Sequence, residues 1–192
     1  VFLDSLGALL QGDTIDSVDM GMLQETSLEE FIRSSGMDEA LDFYAHMLAD
    51  RDEVYPMLPS VNGAEKAFES IHTFDIDKKQ LDAFLRKHSM TRNQYFMGIF
   101  AYTLSRFSGS EKVLFNLIED GRGHMDLSRS IGMYVKTLPI LMDCRNQKVD
   151  AFLSYASDLM NSVMKYDLVP FRTLAAGYEL NAGTTFQYAH SL

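Results

Sequence analysis

Apolar residues at Phe96, Ile99, Phe100, Leu104 and Phe107, with Thr103 on the same face, recur every three or four positions, the spacing of one side of an α-helix. Thr91 before the run offers a capping hydroxyl and Ser108-Gly109 after it a stop, so the pattern predicts a helix between them. A second amphipathic helix is predicted through Val149, Phe152, Leu153, Ala156, Leu159, Met160 and Val163. It ends before a turn at 167–170, and a short helix follows Pro170. Weaker helical faces lie within 38–49, through Leu41, Tyr44, Ala45 and Leu48, and after the capping residue Asp77, through Leu81, Phe84, Leu85 and His88. Residues 1–11 read as the end of a helix and 12–26 as a connector. Ser27-Leu28-Glu29-Glu30 has the form of a capping box, which predicts another helix start, with a break near 34–36.

Between the helices the period changes. Alternation over 67–76 predicts a strand, after a loop marked by Pro56 and Pro59. Val113-Leu114-Phe115-Asn116-Leu117-Ile118 predicts a buried strand stopped by Gly121 and Gly123. The run 131–142 predicts another, with Pro139 at an edge or bulge, and 184–190 has strand composition. Strands interleaved with long helices predict an α/β fold, a two-layer sandwich of helices packed on a sheet.

Composition narrows the chemistry. With 27 acidic and 17 basic residues, the net charge of -10 opposes nucleic acid and anionic membrane surfaces. No segment meets the signal-peptide or membrane-span pattern, and the single Cys144 excludes an internal disulfide, so a reducing, cytoplasmic setting is expected. The chain opens at Val1 inside an apolar run without an initiator Met, which reads as a piece of a longer protein. Its 12 Met and 13 Phe suit an adaptable core, with a Met-lined tunnel or interface as the alternative. The five histidines are scattered, none at ligand spacing with another or with a Cys, so no metal site is expected. His88 and His190 read as structural, and His124, in a Gly-containing loop, is the one to test. Gly121-Arg122-Gly123 opens no helix and lacks a third glycine at the required spacing, so by itself it is a turn carrying a cation.

Order and spacing give that turn a context. A strand ending in Gly121-Arg122, a polar stretch, and then Ile131-Gly132-Met133-Tyr134-Val135-Lys136-Thr137-Leu138-Pro139-Ile140 resembles the condensation domains of nonribosomal peptide synthetases, whose form is close to IGxFVNTLPLR. Some thirty residues on, Asp167-Leu168-Val169-Pro170-Phe171 resembles that family's next motif, HQDVPFE. The helix initiated at Thr91 and closed by Ser108-Gly109, and the opening helix to Gly12, are similar to family elements as well. Departures are Lys136 for Asn, Tyr134 for Phe, and Tyr166-Asp167-Leu168 for the His-Gln-Asp before Val-Pro-Phe.

The resemblance implies a chloramphenicol-acetyltransferase-like lobe with a mixed sheet and packed helices. Residues 1–66 would be a helix and linker leading out of an N-terminal lobe, and 67–192 a truncated C-terminal lobe. It implies amide-bond formation between carrier-protein-bound aminoacyl or peptidyl thioesters. The 4'-phosphopantetheine would be carried by the partner peptidyl carrier proteins, with no cofactor bound directly. The family's HHxxxDG motif is absent from these 192 residues, so no catalytic residue is expected in the chain and the chain alone should be inactive. The resemblance also implies that Arg122 pairs with the Asp of that motif, that 123–130 passes beneath the substrate tunnel, and that Met133, Val135 and Thr137 line it. For Met133 and Val135 simple packing is the competing reading. Lys136 and the altered 166–168 segment motivate a rival function, a non-catalytic condensation-like module that docks carrier proteins or tailoring enzymes. An epimerisation or cyclisation relative and an unrelated α/β domain stay open. An exposed lobe face, or an incomplete sheet at 184–192, would favour self-association.

Overall fold

Thr91 and Gln94 close a capping box, in which the Gln94 N–H donates to Thr91 Oγ1 at 3.2 Å and the Thr91 N–H to Gln94 Oε1 at 2.8 Å. The helix it starts is one of six α-helices among the described residues of a computed structural model, which are 2–13, 36–54, 69–122, 133–145, 148–180 and 183–189. In chain order the elements are α1 (Phe2–Leu10), α2 (Met37–Met47), α3 (Lys78–Lys87), α4 (Arg92–Ser108), β1 (Lys112–Glu119), β2 (Lys136–Asp143), α5 (Val149–Lys165), α6 (Phe171–Tyr178) and β3 (Thr185–Phe186). A 3-10 turn at Arg51–Glu53 follows α2. The capping box at Ser27, the loop at Pro56 and Pro59, the connector after residue 13, and His124 and His190 lie outside the described residues.

Among the described residues the sheet is mixed, in the order β2-β1-β3. β1 runs antiparallel to β2, from Lys112 opposite Asp143 to Glu119 opposite Lys136, and parallel to β3 through Asn116 and Leu117. The Asn116 N–H donates to Thr184 O at 2.9 Å, toward β3. Its β2 partner Pro139 therefore sits at a pair without ladder bonds, where the missing N–H would point away from β1, which is why proline fits at this edge.

One sheet face carries Val113, Phe115, Leu117, Leu138, Ile140 and Met142 against α3, α4 and α5. This is the expected layer of helices on a sheet. The opposite face, through Leu114 and Leu141, meets Ala40 and Tyr44 of α2, Leu48 just after it and Leu174 of α6, so helices cover the sheet on both sides. A fully buried side chain of this size contributes about 1.5–3 kcal/mol, against at most about 1 kcal/mol for an exposed ion pair. Burial on the sheet faces, not pairs such as Arg92–Asp82, holds the fold.

Several expectations are corrected. On α4 the buried residues are Gln94, Met97, Gly98, Ala101 and Ser105, while Ile99 and Phe107 are exposed and Phe96, Phe100 and Leu104 are half-buried. The cause is close approach of α5: a Cβ on Gly98 would lie 3.1 Å from Leu153 Cδ2 and 3.3 Å from Ala156 Cβ. Small residues occupy the contact and the bulky ones flank it. On α2 the buried stripe runs through Ala40, Tyr44 and Leu48, while Leu41 and Ala45 are exposed. The apolar spacing there is helical as expected, and Tyr44 and Leu48 are buried as expected, with Ala40 in place of Leu41 and Ala45 completing the face against Leu141 of β2.

Residues 69–76 form no strand: they are irregular and exposed, with Ile71 and Phe74 84% and 78% accessible. Alternation shows that a segment suits a pleated surface, but a strand also needs a neighbour to bond, and among the described residues this one has none. β2 starts at Lys136, with 133–135 outside the ladder, and the strand expected over 184–190 is reduced to Thr185–Phe186.

Candidate functional site

The two segments singled out in the sequence cross at the ends of β1 and β2. Gly121 holds φ +68°, and a Cβ there would stand 1.8 Å from the Tyr134 carbonyl oxygen and 3.1 Å from Lys136 Cγ. Only a residue without a side chain lets the chain leave β1 this close to the backbone entering β2. Beside it the Arg122 N–H donates to Asp120 Oδ1 at 3.0 Å, a local turn that fixes where the side chain sets out. The half-buried Arg122 guanidinium then lies over the Tyr134 ring, 4.6 Å from its centroid. Stacking of this kind keeps a planar cation oriented. Arg122 is thus a positioned side chain and not the mobile cation that a bare turn would carry.

Lys136, the first residue of β2, extends its ammonium to Asp167 Oδ1 at 2.9 Å, with the two side chains 19% and 8% exposed. Lys136 and Asp167 are both departures from the motifs quoted above, and the structure brings them together. A lysine in place of asparagine brings a buried charge, and an aspartate just after α5 neutralises it. The third departure is also accommodated. Tyr166 stacks on Phe43 of α2 at 4.8 Å, and its hydroxyl donates to Glu39 Oε1 at 2.5 Å. That bond, with Lys165 alongside, holds the Glu39 carboxyl below its ordinary range.

Further groups surround this pair. Burial, helped by the Asp167 charge, pushes the Tyr44 hydroxyl well above the usual phenol range. Glu119, opposite Lys136 in the ladder, is raised by burial and by the Asp120 and Asp167 charges, while a bond from Asn93 Nδ2 at 3.2 Å works the other way. Asn93 is not singled out by the sequence, and Tyr44 only as one position of a helical face. Neither sits in a motif, and only the fold carries the first turn of α4 and the middle of α2 to this place.

Of the expected tunnel-lining residues, Met133 is 90% and Val135 56% exposed, so neither is packed in the core, while Thr137 is half-buried opposite Ile118. All three lie beside Tyr134 and Lys136 in the segment that Gly121 abuts. His88 lies on Phe84, ring centroids 4.4 Å apart, and 3.9 Å from Asp150. Among the described residues no group of three or more His, Cys, Asp or Glu side chains is arranged to hold a metal ion.

The profile of the condensation domain matches residues 26–188, and the chain belongs to that family. It is 24% identical over 180 residues to Gramicidin S synthase 2 of Brevibacillus brevis, covering 85% of this chain and 4% of that one. It is 29% identical over 136 residues to a plipastatin synthase chain of Bacillus subtilis (strain 168), covering 68% of this chain and 5% of the relative. The fold is shared with the condensation domain from the Monacolin K polyketide synthase MokA, at a TM-score of 0.69 and 21% identity, over 93% of this chain and 44% of that chain. SgcC5 protein from Streptomyces globisporus superposes at a TM-score of 0.72 and 13% identity, over 95% and 45% of the two chains. The chain therefore spans under half of each of these two solved chains and about a twentieth of the two synthase chains. No described helix is long and apolar enough to cross a membrane.

Proposed function

We propose that this chain forms the C-terminal wall of a condensation domain that joins carrier-bound aminoacyl or peptidyl thioesters through an amide bond, in the cytosol. In that reaction the acceptor's amine nitrogen bonds to the donor's thioester carbon, the C–S bond breaks, and the pantetheine thiol leaves as the nitrogen gives up a proton. Holding amine and carbonyl in register supplies much of the rate, and a rigid wall contributes to that. The partners are peptidyl carrier proteins bearing 4'-phosphopantetheine, together with an N-terminal lobe bearing HHxxxDG. On this reading 1–66 leads out of that lobe and 67–192 is the C-terminal lobe, with α2 docked on its sheet.

The observation that supports it most is the crossing of the two motif segments at Gly121, with Arg122 held over Tyr134. Arg122 is a positioning residue, an ion-pair partner for the Asp of the HHxxxDG loop, and Met133, Val135 and Thr137 border the substrate path. The rival, a degenerate docking module, drew on Lys136 and the altered 166–168 segment. Their pairing with one another and with α2 removes the need to read them as decay.

The test is turnover by the parent domain with loaded donor and acceptor carrier proteins. Arg122→Ala should lose about 3–5 kcal/mol of stabilisation, a fall of roughly two to four orders of magnitude, if the pair it makes is desolvated. Arg122→Lys should recover only part of that, since lysine cannot stack as a plane. The 192-residue chain by itself should give no condensed product. Near-normal turnover by Arg122→Ala would remove its proposed role, and product from the isolated chain would overturn the need for a second lobe.

A further inference from the structure

Charge is unevenly shared between the helices on the two sides of the sheet. On α3, Lys78, Lys79, Arg86 and Lys87 are exposed, and among the described residues none of their side chains makes a hydrogen bond or ion pair. The one carboxylate of that helix, Asp82, is held by Arg92 Nη2 at 2.6 Å. Elsewhere, by contrast, Lys112 is engaged by Asp50 and Glu53, Lys165 by Glu39 and Arg145 by Asp143. In a chain of net charge -10, α3 is therefore a concentrated positive face. Lys78 and Lys79 sit in its first turn, where the helix dipole disfavours cations, so the stability of the helix does not account for them.

The other side of the sheet presents the complement. α2 exposes Asp38 and Asp42 one turn apart, on a face shared with Leu41 and Ala45, and neither carboxylate has a hydrogen bond or ion pair among the described residues. On α3, helical spacing sets Lys79, Ala83 and Arg86 in one line. Lys79 and Arg86 are two turns, about 10 Å, apart, and Asp38 with Asp42 fits within that span. The small, exposed Ala83 leaves room between the two cations for an aliphatic side chain such as Leu41. Ile71, Phe74 and Ile76, exposed just before α3, extend the surface with an apolar edge. The two faces thus match in sign and in the placing of their apolar positions.

We propose that α3 of one copy of this chain docks on α2 of a second copy, with Lys79 and Arg86 meeting Asp38 and Asp42. The two helices pack on opposite faces of the sheet, so a docked copy still offers both surfaces, and assembly continues head to tail past a symmetric pair. Repulsion between two acidic copies is screened beyond roughly 8 Å at physiological salt, which leaves the charges at the contact to decide. The interface is independent of the condensation reading.

The test is sedimentation equilibrium of the 192-residue chain at low and at high salt. Species larger than a dimer are expected at low salt, with association about tenfold weaker at high salt. Lys79→Glu with Arg86→Glu, and Asp38→Lys with Asp42→Lys, should each give a monomer whose melting temperature stays near that of the parent chain, since all four positions are exposed. Mixed in equal amounts, the two variants should assemble again, because every contact then joins an acidic helix to a basic one. The milder Lys79→Gln with Arg86→Gln should weaken association at least about fivefold at low salt. A monomer at low salt, a dimer that grows no further, association indifferent to salt or to the glutamine variant, or a mixture of folded charge-reversed variants that stays monomeric would each overturn the proposal. An oligothymidylate that binds α3 while the chain stays monomeric would overturn it as well, and assign the face to nucleic acid.

Discussion

Gly109 and Gly121 hold nearly the same backbone angle, φ +72° and +68°, and differ in what surrounds them. Around Gly109 a Cβ would meet nothing within 4 Å, whereas at Gly121 it would collide with the Tyr134 carbonyl. Gly109→Ala should therefore cost only the left-handed penalty of about 1–2 kcal/mol. Gly121→Ala should cost about 3 kcal/mol or more, because backbone on the far side must move as well. Urea denaturation of the two variants measures this directly. Equal losses would show that the crossing at the end of β1 is loose and that Arg122 is not held as described. Both glycines are visible in the sequence as stops. That one of them is also a crossing point depends on residue 134, which no local pattern connects to it.

Elements follow their own patterns, and their partners do not. The caps at Asp77 and Thr91 act through neighbouring N–H groups, with Asp77 Oδ1 accepting from Lys79 at 2.9 Å, so they are legible over a few residues. The Lys136–Asp167 pair joins the start of β2 to the end of α5 and was invisible as a pair, although each residue stood out as a departure. Breaking it from one side leaves a buried charge. Lys136→Asn and Asp167→Gln should each destabilise by about 3 kcal/mol, and the double variant by less than the sum of the two. A double-mutant cycle under urea gives the coupling. Strict additivity would mean that the two residues do not depend on one another.

At the scale of the whole chain, the exposed apolar side chains matter most. Ile71 and Phe74 are 84% and 78% exposed on an irregular segment, and Met133 is 90% exposed at the mouth of β2. Such surfaces favour association, so sedimentation equilibrium at rising concentration should show dimers or larger species. The double variant Ile71→Ser and Phe74→Ser should weaken that association without loss of stability, since neither side chain contributes to the core. A monomer throughout, or association that the double variant leaves untouched, would place the contact elsewhere or nowhere.

The amino-acid sequence by itself determined the helices α4 and α5, the strand β1, the caps and the two motif segments, because each rests on contacts or periodicities within about a dozen residues. It also determined the family, since the order of motifs survives where single residues change. The tertiary structure alone decided which face of α4 is buried, that 69–76 stays out of the sheet, and that Lys136 meets Asp167. Those outcomes depend on how closely one element approaches another and on which backbone groups find a partner, and these are properties of the packed chain rather than of any stretch of it.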